Sequence, residues 1–209
     1  MMRRLLQLSA VGALGIAAQA ADFSYYMLSL SYAPNYCAQP GVKKDPRECG
    51  PGRKAFIVHG LWPQNDNGRG PQNCGAARPV PADIVRSMLA YMPSESLIQH
   101  EWATHGTCSG LTPAEYFAAV RRLGDSVRIP PSIEEIRKAV ITSPQDLESA
   151  FAQTNPGIPM FALRVSCGGD QGLQEIRVCF DKKFVARECT GSSECTMPRI
   201  GLLPVKPPR

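Results

Sequence analysis

The chain has 209 residues, a length that suits one domain, and 44% of them are hydrophobic, which excludes an intrinsically disordered chain. Lysine and arginine total 23 against 18 acidic residues, for a formal net charge of +5. That mild excess suits a polyanionic ligand but decides nothing alone, since Arg3 and Arg4 of the N-terminus supply part of it.

The first twenty residues, MMRRLLQLSAVGALGIAAQA, read as an export signal. Arg3 and Arg4 are the charged start, Leu5 to Ala17 the short apolar stretch, and Ala18-Gln19-Ala20 the small-x-small cleavage site. Ala21 is therefore the expected mature start, and residues 21–209 the single domain. A membrane span needs about 20 apolar residues, and this stretch is shorter and holds Gln7 and Ser9. The expected location is secreted or periplasmic, with no membrane association after signal removal. Export also governs the cysteines. Eight of them (Cys37, Cys49, Cys74, Cys108, Cys167, Cys179, Cys189 and Cys195) form an even set, which in an oxidising compartment means disulfides. Their connectivity is open at this point. No two are spaced C-x-x-C, which argues against a zinc knuckle or a redox dithiol.

Phe23 to Tyr32 has the aromatic and branched content of a buried strand. Pro34 to Gly52 reads as loop, Ala55 to Leu61 as a second strand, and Pro63 to Pro81 as polar loop. Ala82 to Tyr91 carries apolar residues at helical spacing. Ser94 caps a helix from Glu95 to about Thr104, ended by Gly106. Thr112-Pro113-Ala114-Glu115 predicts a capped helix to Leu123. Ser132 with Glu135 repeats the pattern for a helix to Ile141, and Ser143-Pro144 opens another through Phe151. Phe161 to Cys167 and Leu173 to Phe180 alternate as strands. Asp181-Lys182-Lys183 is a turn leading into Phe184 to Arg187, and the tail from about residue 204 is expected to be disordered. Strands early and late with helices between them predict an α+β fold: a central, mainly antiparallel sheet flanked by several helices and stapled by disulfides.

Two of the chain's three histidines fall in HEWATHGTC, residues 100–108; the third, His59, lies in FIVHGLWPQ. The zinc motif H-E-x-x-H needs histidines four apart. His100 and His105 are five apart, which on a regular helix leaves them roughly 140° apart, so they do not share one ion and no metal is expected. Glu101 and His105 are four apart and should share a face, where the carboxylate would raise the imidazole pKa. Trp102 can anchor the helix and Cys108 can staple its end, which frees His100, Glu101 and His105 for a surface. Gly60, after His59, permits close approach of a ligand. Two histidines without a metal suit acid–base chemistry on a phosphodiester. One takes a proton from an oxygen nucleophile and the other gives one to the leaving oxygen. RNA brings its own nucleophile in the 2′-hydroxyl, and Trp62 could stack a base or pack in the core.

FIVHGLWPQ and HEWATHGTC resemble the two active-site segments of the ribonuclease T2 family, in order, spacing and flanking apolar runs, and FSYYMLSLSYAPNYC resembles that family's first strand and loop. The resemblance implies that His59 is the proton donor to the leaving group and His105 the base. By the same likeness His100 binds phosphate, Glu101 supports charge in the transition state, and Trp62 belongs to a base-binding site to which Gln64 adds. It implies the pairings Cys37–Cys49, Cys74–Cys108, Cys167–Cys195 and Cys179–Cys189. The implied reaction cuts single-stranded RNA through a 2′,3′-cyclic phosphate to a 3′-phosphate, with no cofactor, by a monomer that does not cleave DNA. One position departs from the pattern: many members carry lysine immediately before the second active-site histidine, and here it is Thr104. Loss of that cation should lower turnover and alter the pH optimum. Thr104 favours the alternative of an RNA-binding or toxin-like protein with weak or lost catalysis on the same fold.

Overall fold

The computed structural model describes residues 21–41, 44–169, 171–191 and 194–206; the export segment expected at residues 1–20 lies outside them. The elements run β1 (Tyr25–Tyr32), α1 (Ala33–Ala38), α2 (Pro46–Cys49), β2 (Phe56–Gln64), α3 (Ala82–Met88), α4 (Glu95–Thr104) and α5 (Pro113–Ser126). They continue with α6 (Pro131–Glu134), β3 (Val140–Thr142), α7 (Pro144–Thr154), β4 (Leu163–Cys167), β5 (Leu173–Phe180) and β6 (Ile200–Leu202). β2, β1, β5 and β4 form one antiparallel sheet in that order, and β3 pairs antiparallel with β6.

The period of two along each strand gives the main sheet two different faces. Register places Tyr26, Leu28 and Leu30 of β1 opposite Phe180, Val178 and Ile176 of β5, with Leu61 and Val58 of β2 on the same side. These join Met88, Ile98, Trp102, Phe117, Leu123 and Phe151 of the helices in one core. The other face carries Met27, Ser29 and Ser31 of β1, Gly60 and Trp62 of β2, and Glu175, Arg177 and Cys179 of β5. The pairing of β1 with β2 slips between Ser29/Gly60 and Leu30/Val58, so His59 is the extra residue of a β-bulge. A bulge bends its strand and re-aims the side chain it carries.

The helices start where the caps predict. Thr112 and Glu115 form the full capping box at α5, and Ser94 and Ser143 accept from the backbone at α4 and α7. Three expectations differ. Residues 34–52 hold the short helices α1 and α2, each opened by a proline in its first turn. The helix expected from Ser132 to Ile141 stops after the single turn of α6, whose N-cap is Pro130 without a side-chain bond. Val140, Ile141 and Thr142 are β-branched and pair with β6 instead. The tail is held through Lys206: Val205 is buried in the core, Val205 and Lys206 both donate to the Ile136 carbonyl, and Arg53 donates to the Pro204 carbonyl.

Four disulfides, Cys37–Cys49, Cys74–Cys108, Cys167–Cys195 and Cys179–Cys189, staple the loops. The second spans a separation of 34 residues and pins the turn after α4. On a chain-entropy model it contributes about 3–4 kcal/mol. No helix among the described residues is long and apolar enough to cross a membrane.

Candidate active site

The polar face of the sheet opens into a cleft of about 700 Å³, walled by His59, Trp62, His100, Glu175 and Arg177 and, from α1 and α2, by Tyr36 and Glu48. His59 is hydrogen-bonded at one ring nitrogen and has a second carboxylate near the other. Nδ1 lies 2.6 Å from Oε1 of Glu175, and Nε2 lies 3.6 Å from Oε1 of Glu101. The second oxygen of Glu175 accepts from Arg177, at 2.9 Å from Nε and 2.8 Å from Nη2. Burial alone would raise the Glu175 carboxyl, but the hydrogen bond and charge of His59 and the charge of Arg177 hold it down at about 2. It is thus an ionised acceptor, so His59 Nδ1 carries the proton between them. Burial works against a charged His59 ring, yet the bond and charge of Glu175, with the charge of Glu101, outweigh it and raise its pKa.

Glu101 is buried on α4, where that helix lies against the edge strand β2. Its Oε2 accepts from the Trp62 indole at 2.7 Å, and its Oε1 is 4.0 Å from His100 Nε2. Burial pushes the carboxyl up to about 7 against the opposing pull of His59 and the Trp62 N–H. Gly60 makes this contact possible: a Cβ there would overlap both Glu101 Oε2 and Trp62 Nε1. The close approach that glycine allows is therefore that of the protein's own carboxylate, not of a ligand as the sequence led us to expect. Gly60→Ala should part Trp62 from Glu101 and lower kcat/KM for RNA about tenfold or more, because a 1 Å misplacement can cost that much and beyond. Steady-state kinetics checks the loss, and retention of the Trp62–Glu101 contact at full rate would contradict it.

His105 caps the C-terminus of α4, and its own N–H donates to the Glu101 carbonyl. Its side chain makes no pair with the Glu101 carboxylate, contrary to the four-residue spacing argument; that carboxylate faces His59 and Trp62. His105 is buried against the Trp62 ring, centroids 5.3 Å apart, and its Nδ1 has no hydrogen-bond partner among the described residues. Burial, followed by the charges of His100 and His59, lowers its pKa to about 4. The expected rise in its pKa is thus reversed, because nothing acidic offsets its desolvation.

Trp62 is common to both histidines, since His59 meets it edge-on at 5.2 Å, and the Arg177 guanidinium lies 5.6 Å from its ring centre. His100 is exposed in the cleft, and Thr104 Oγ1 lies 3.5 Å from its Nδ1. Gln64 closes β2 with its amide 3.0 Å from where a Cβ on Gly70 would stand, against the loop after β2. Trp102 packs in the core, edge-on to Tyr116. Among the described residues no group of three or more His, Cys, Asp or Glu is placed to hold a metal ion.

The arrangement raises the pKa of one imidazole and lowers that of the second, with a carboxyl titrating near neutrality beside them. Environments that separate two like groups in this way assign an acid and a base. Sequence reasoning missed Glu175 and Arg177. They alternate with Ile176 and Val178 in a central strand that is mostly buried, and two charges in such a strand need partners. That was the available signal, though not the identity of the partner.

The model for the Ribonuclease T2 family matches residues 23–189. A probable ribonuclease of Haemophilus influenzae is 31% identical over 182 residues, which is 81% of this chain and 62% of the relative. A ribonuclease of Aeromonas hydrophila is 31% identical over 179 residues, 84% of this chain and 78% of the relative. The chain therefore spans less than two thirds of the length of the first relative and about three quarters of the second. Among solved structures, RNase NT in complex with 5′-AMP superposes with a TM-score of 0.71 at 22% identity, covering 90% of this chain and 100% of that one. The RNase-related protein of Calystegia sepium gives 0.68 at 23%, covering 88% and 98%. These two share the fold. With a family match over most of its length and two relatives near one third identity, the chain belongs to the Ribonuclease T2 family.

Proposed function

We propose that the chain is an exported, metal-independent endoribonuclease that cleaves single-stranded RNA by transphosphorylation. The observation that carries this reading is the opposite electrostatics of the two histidines around Trp62. Neutral His105 takes the proton of the 2′-hydroxyl, the 2′-oxygen attacks phosphorus, and the 5′-oxygen leaves with the proton of His59 Nε2. The products are a 2′,3′-cyclic phosphate and a 5′-hydroxyl. In the slower second step the roles reverse: His59 takes a proton from water, His105 returns one to the 2′-oxygen, and a 3′-phosphate results. Glu101 and His100 stand by the phosphate, Glu101 supporting charge in the transition state, and Trp62 offers its ring to a base. DNA lacks the 2′-hydroxyl and is a ligand at most. The protein works as a monomer, in the periplasm or outside the cell, after cleavage before Ala21.

The matching assay incubates protein starting at Ala21 with RNA in excess chelator and reads the ends by mass spectrometry. Cyclic phosphate ends support the reading. Absence of cleavage across pH 4–9 would leave an RNA-binding protein on the same fold, and cleavage abolished by chelator would point to a metal-dependent hydrolase.

The pH dependence has a definite sign. A base must be neutral, so kcat/KM rises as pH climbs through about 4, where His105 loses its proton. An acid must be protonated, so the rate falls once pH passes the pKa of His59, which Glu175 and Glu101 raise from its ordinary value against the effect of burial. Glu101, at about 7, titrates beside His59, so the falling limb belongs to the pair. A broad, acid-leaning bell is expected in a kcat/KM profile, and a rate that climbs steadily with pH would contradict it.

A further inference from the structure

The proposed reaction uses His59 as the acid but leaves unexplained why a buried carboxylate and an arginine stand behind it. Glu175 sits on β5, opposite Ser31 of β1, on the polar face of the sheet. It is 7% exposed, yet both its oxygens are occupied: Oε1 by His59 Nδ1 at 2.6 Å, and Oε2 by two nitrogens of Arg177. A buried charge is retained only when it is paired and hydrogen-bonded, and here the pairing runs entirely into the active site.

The geometry points to Glu175 as a positioning residue for His59, one that fixes the Nδ1-protonated tautomer and turns Nε2 toward the substrate, with Arg177 holding the carboxylate in place. This inference rests on the reading of His59 as the acid. Neutral imidazole in water favours the proton on Nε2, the nitrogen that must be empty after proton donation. With Nδ1–H committed to Glu175, Nε2 alone gives and takes the proton, and the ring does not rotate between the two steps. Glu175 remains ionised throughout and takes no proton; its role is orientation and charge. Arg177 acts at one remove, because its guanidinium is bonded to Glu175 and lies over Trp62.

Other charges also surround His59. From α4 come Glu101, whose charge raises the His59 pKa, and His100; from the C-cap of α4 comes His105, and from α2 Glu48, which interacts with His59 electrostatically. Arg177 on β5 opposes a proton on His59. The hydrogen bond at Nδ1 is made by Glu175, at 2.6 Å.

Two measurements test the role. In the wild-type chain, ring 15N shifts of neutral His59, recorded at high pH, should report Nδ1–H; the Nε2–H tautomer would overturn the inference without any variant. In Glu175→Gln, which keeps the shape and an acceptor but removes the charge, the NMR titration of His59 should move to lower pH, and the falling limb of kcat/KM should move with it. The rate at neutral pH should fall about 10- to 100-fold, less than on removing His59, and Glu175→Asp should recover part of the shift. A Glu175→Gln chain that folds with an unshifted His59 titration would sink the proposal. The titration is read independently of turnover. If the wild-type chain fails to cleave RNA while the tautomer and titration behave as stated, the functional reading fails and the His59–Glu175 pairing stands.

Discussion

His59→Ala and His105→Ala should each lower kcat/KM for RNA by about 10²–10⁴, the usual contribution of one positioned proton transfer. The double variant should lose less than the product of the two, since groups that act as a unit are not additive. Rate loss alone does not tell acid from base, but leaving-group chemistry does. An acid is needed only when the departing oxygen is a poor leaving group. A substrate with a nitrophenolate in place of the 5′-nucleoside departs without a proton, so it should restore most of the rate of His59→Ala and little of that of His105→Ala. The pH profiles should divide in the same sense: His105→Ala loses the rising limb near pH 4, and His59→Ala keeps that limb while its falling limb is left to Glu101 alone. Initial rates on both substrates across pH check each part, and nitrophenyl rescue of His105→Ala in place of His59→Ala would exchange the two roles. The folds should survive. His59 is partly exposed on a bulge, and His105 sits at a helix end tethered three residues on by Cys74–Cys108.

Much of this was legible in the sequence because short-range rules governed it. β5 matches its alternating segment from Leu173 to Phe180, and α5 starts at its capping box because Thr112 and Glu115 satisfy each other within one turn. The rest depended on partners distant in sequence. Glu175 meets His59 across 116 residues, and no local pattern encodes that meeting. The bulge at His59 is a mismatch between two strands, invisible in either one. Val140–Thr142 resembled the end of a helix until β6 supplied a strand to pair with. The spacing of Glu101 and His105 predicted a shared face, but α4 ends at Thr104, and Gly60 opened a space that drew the carboxylate to β2. Spacing therefore marked residues that the fold brings together around Trp62 and assigned Glu101 the wrong neighbour.

Glu101→Ala should cost about 10²–10³ in kcat, the scale for losing one preorganised group that steadies developing charge. Glu101→Gln should cost much less. A carboxyl held at about 7 is substantially protonated at the acid-leaning optimum, and a phosphorane beside it favours the protonated form further. In that form it donates a hydrogen bond, which a glutamine amide can also do while its oxygen still accepts from Trp62. If Gln falls as far as Ala, the ionised carboxylate is the working species and the donor account is wrong. Stability supplies a second readout of opposite sign. A carboxyl whose folded pKa stands above its unfolded value stabilises the fold fully only below the unfolded pKa, and that contribution is lost as pH rises toward 7. Raised from 4.5 to about 7, and almost wholly buried, Glu101 burdens the native state by about 3 kcal/mol at pH 8. Glutamine carries no such charge, so Glu101→Gln should melt about 6–12 °C above the wild type at pH 8 and close to it at pH 4. Calorimetry at the two pH values checks this. A variant more stable and less active would identify Glu101 as a group kept for chemistry at the expense of the fold.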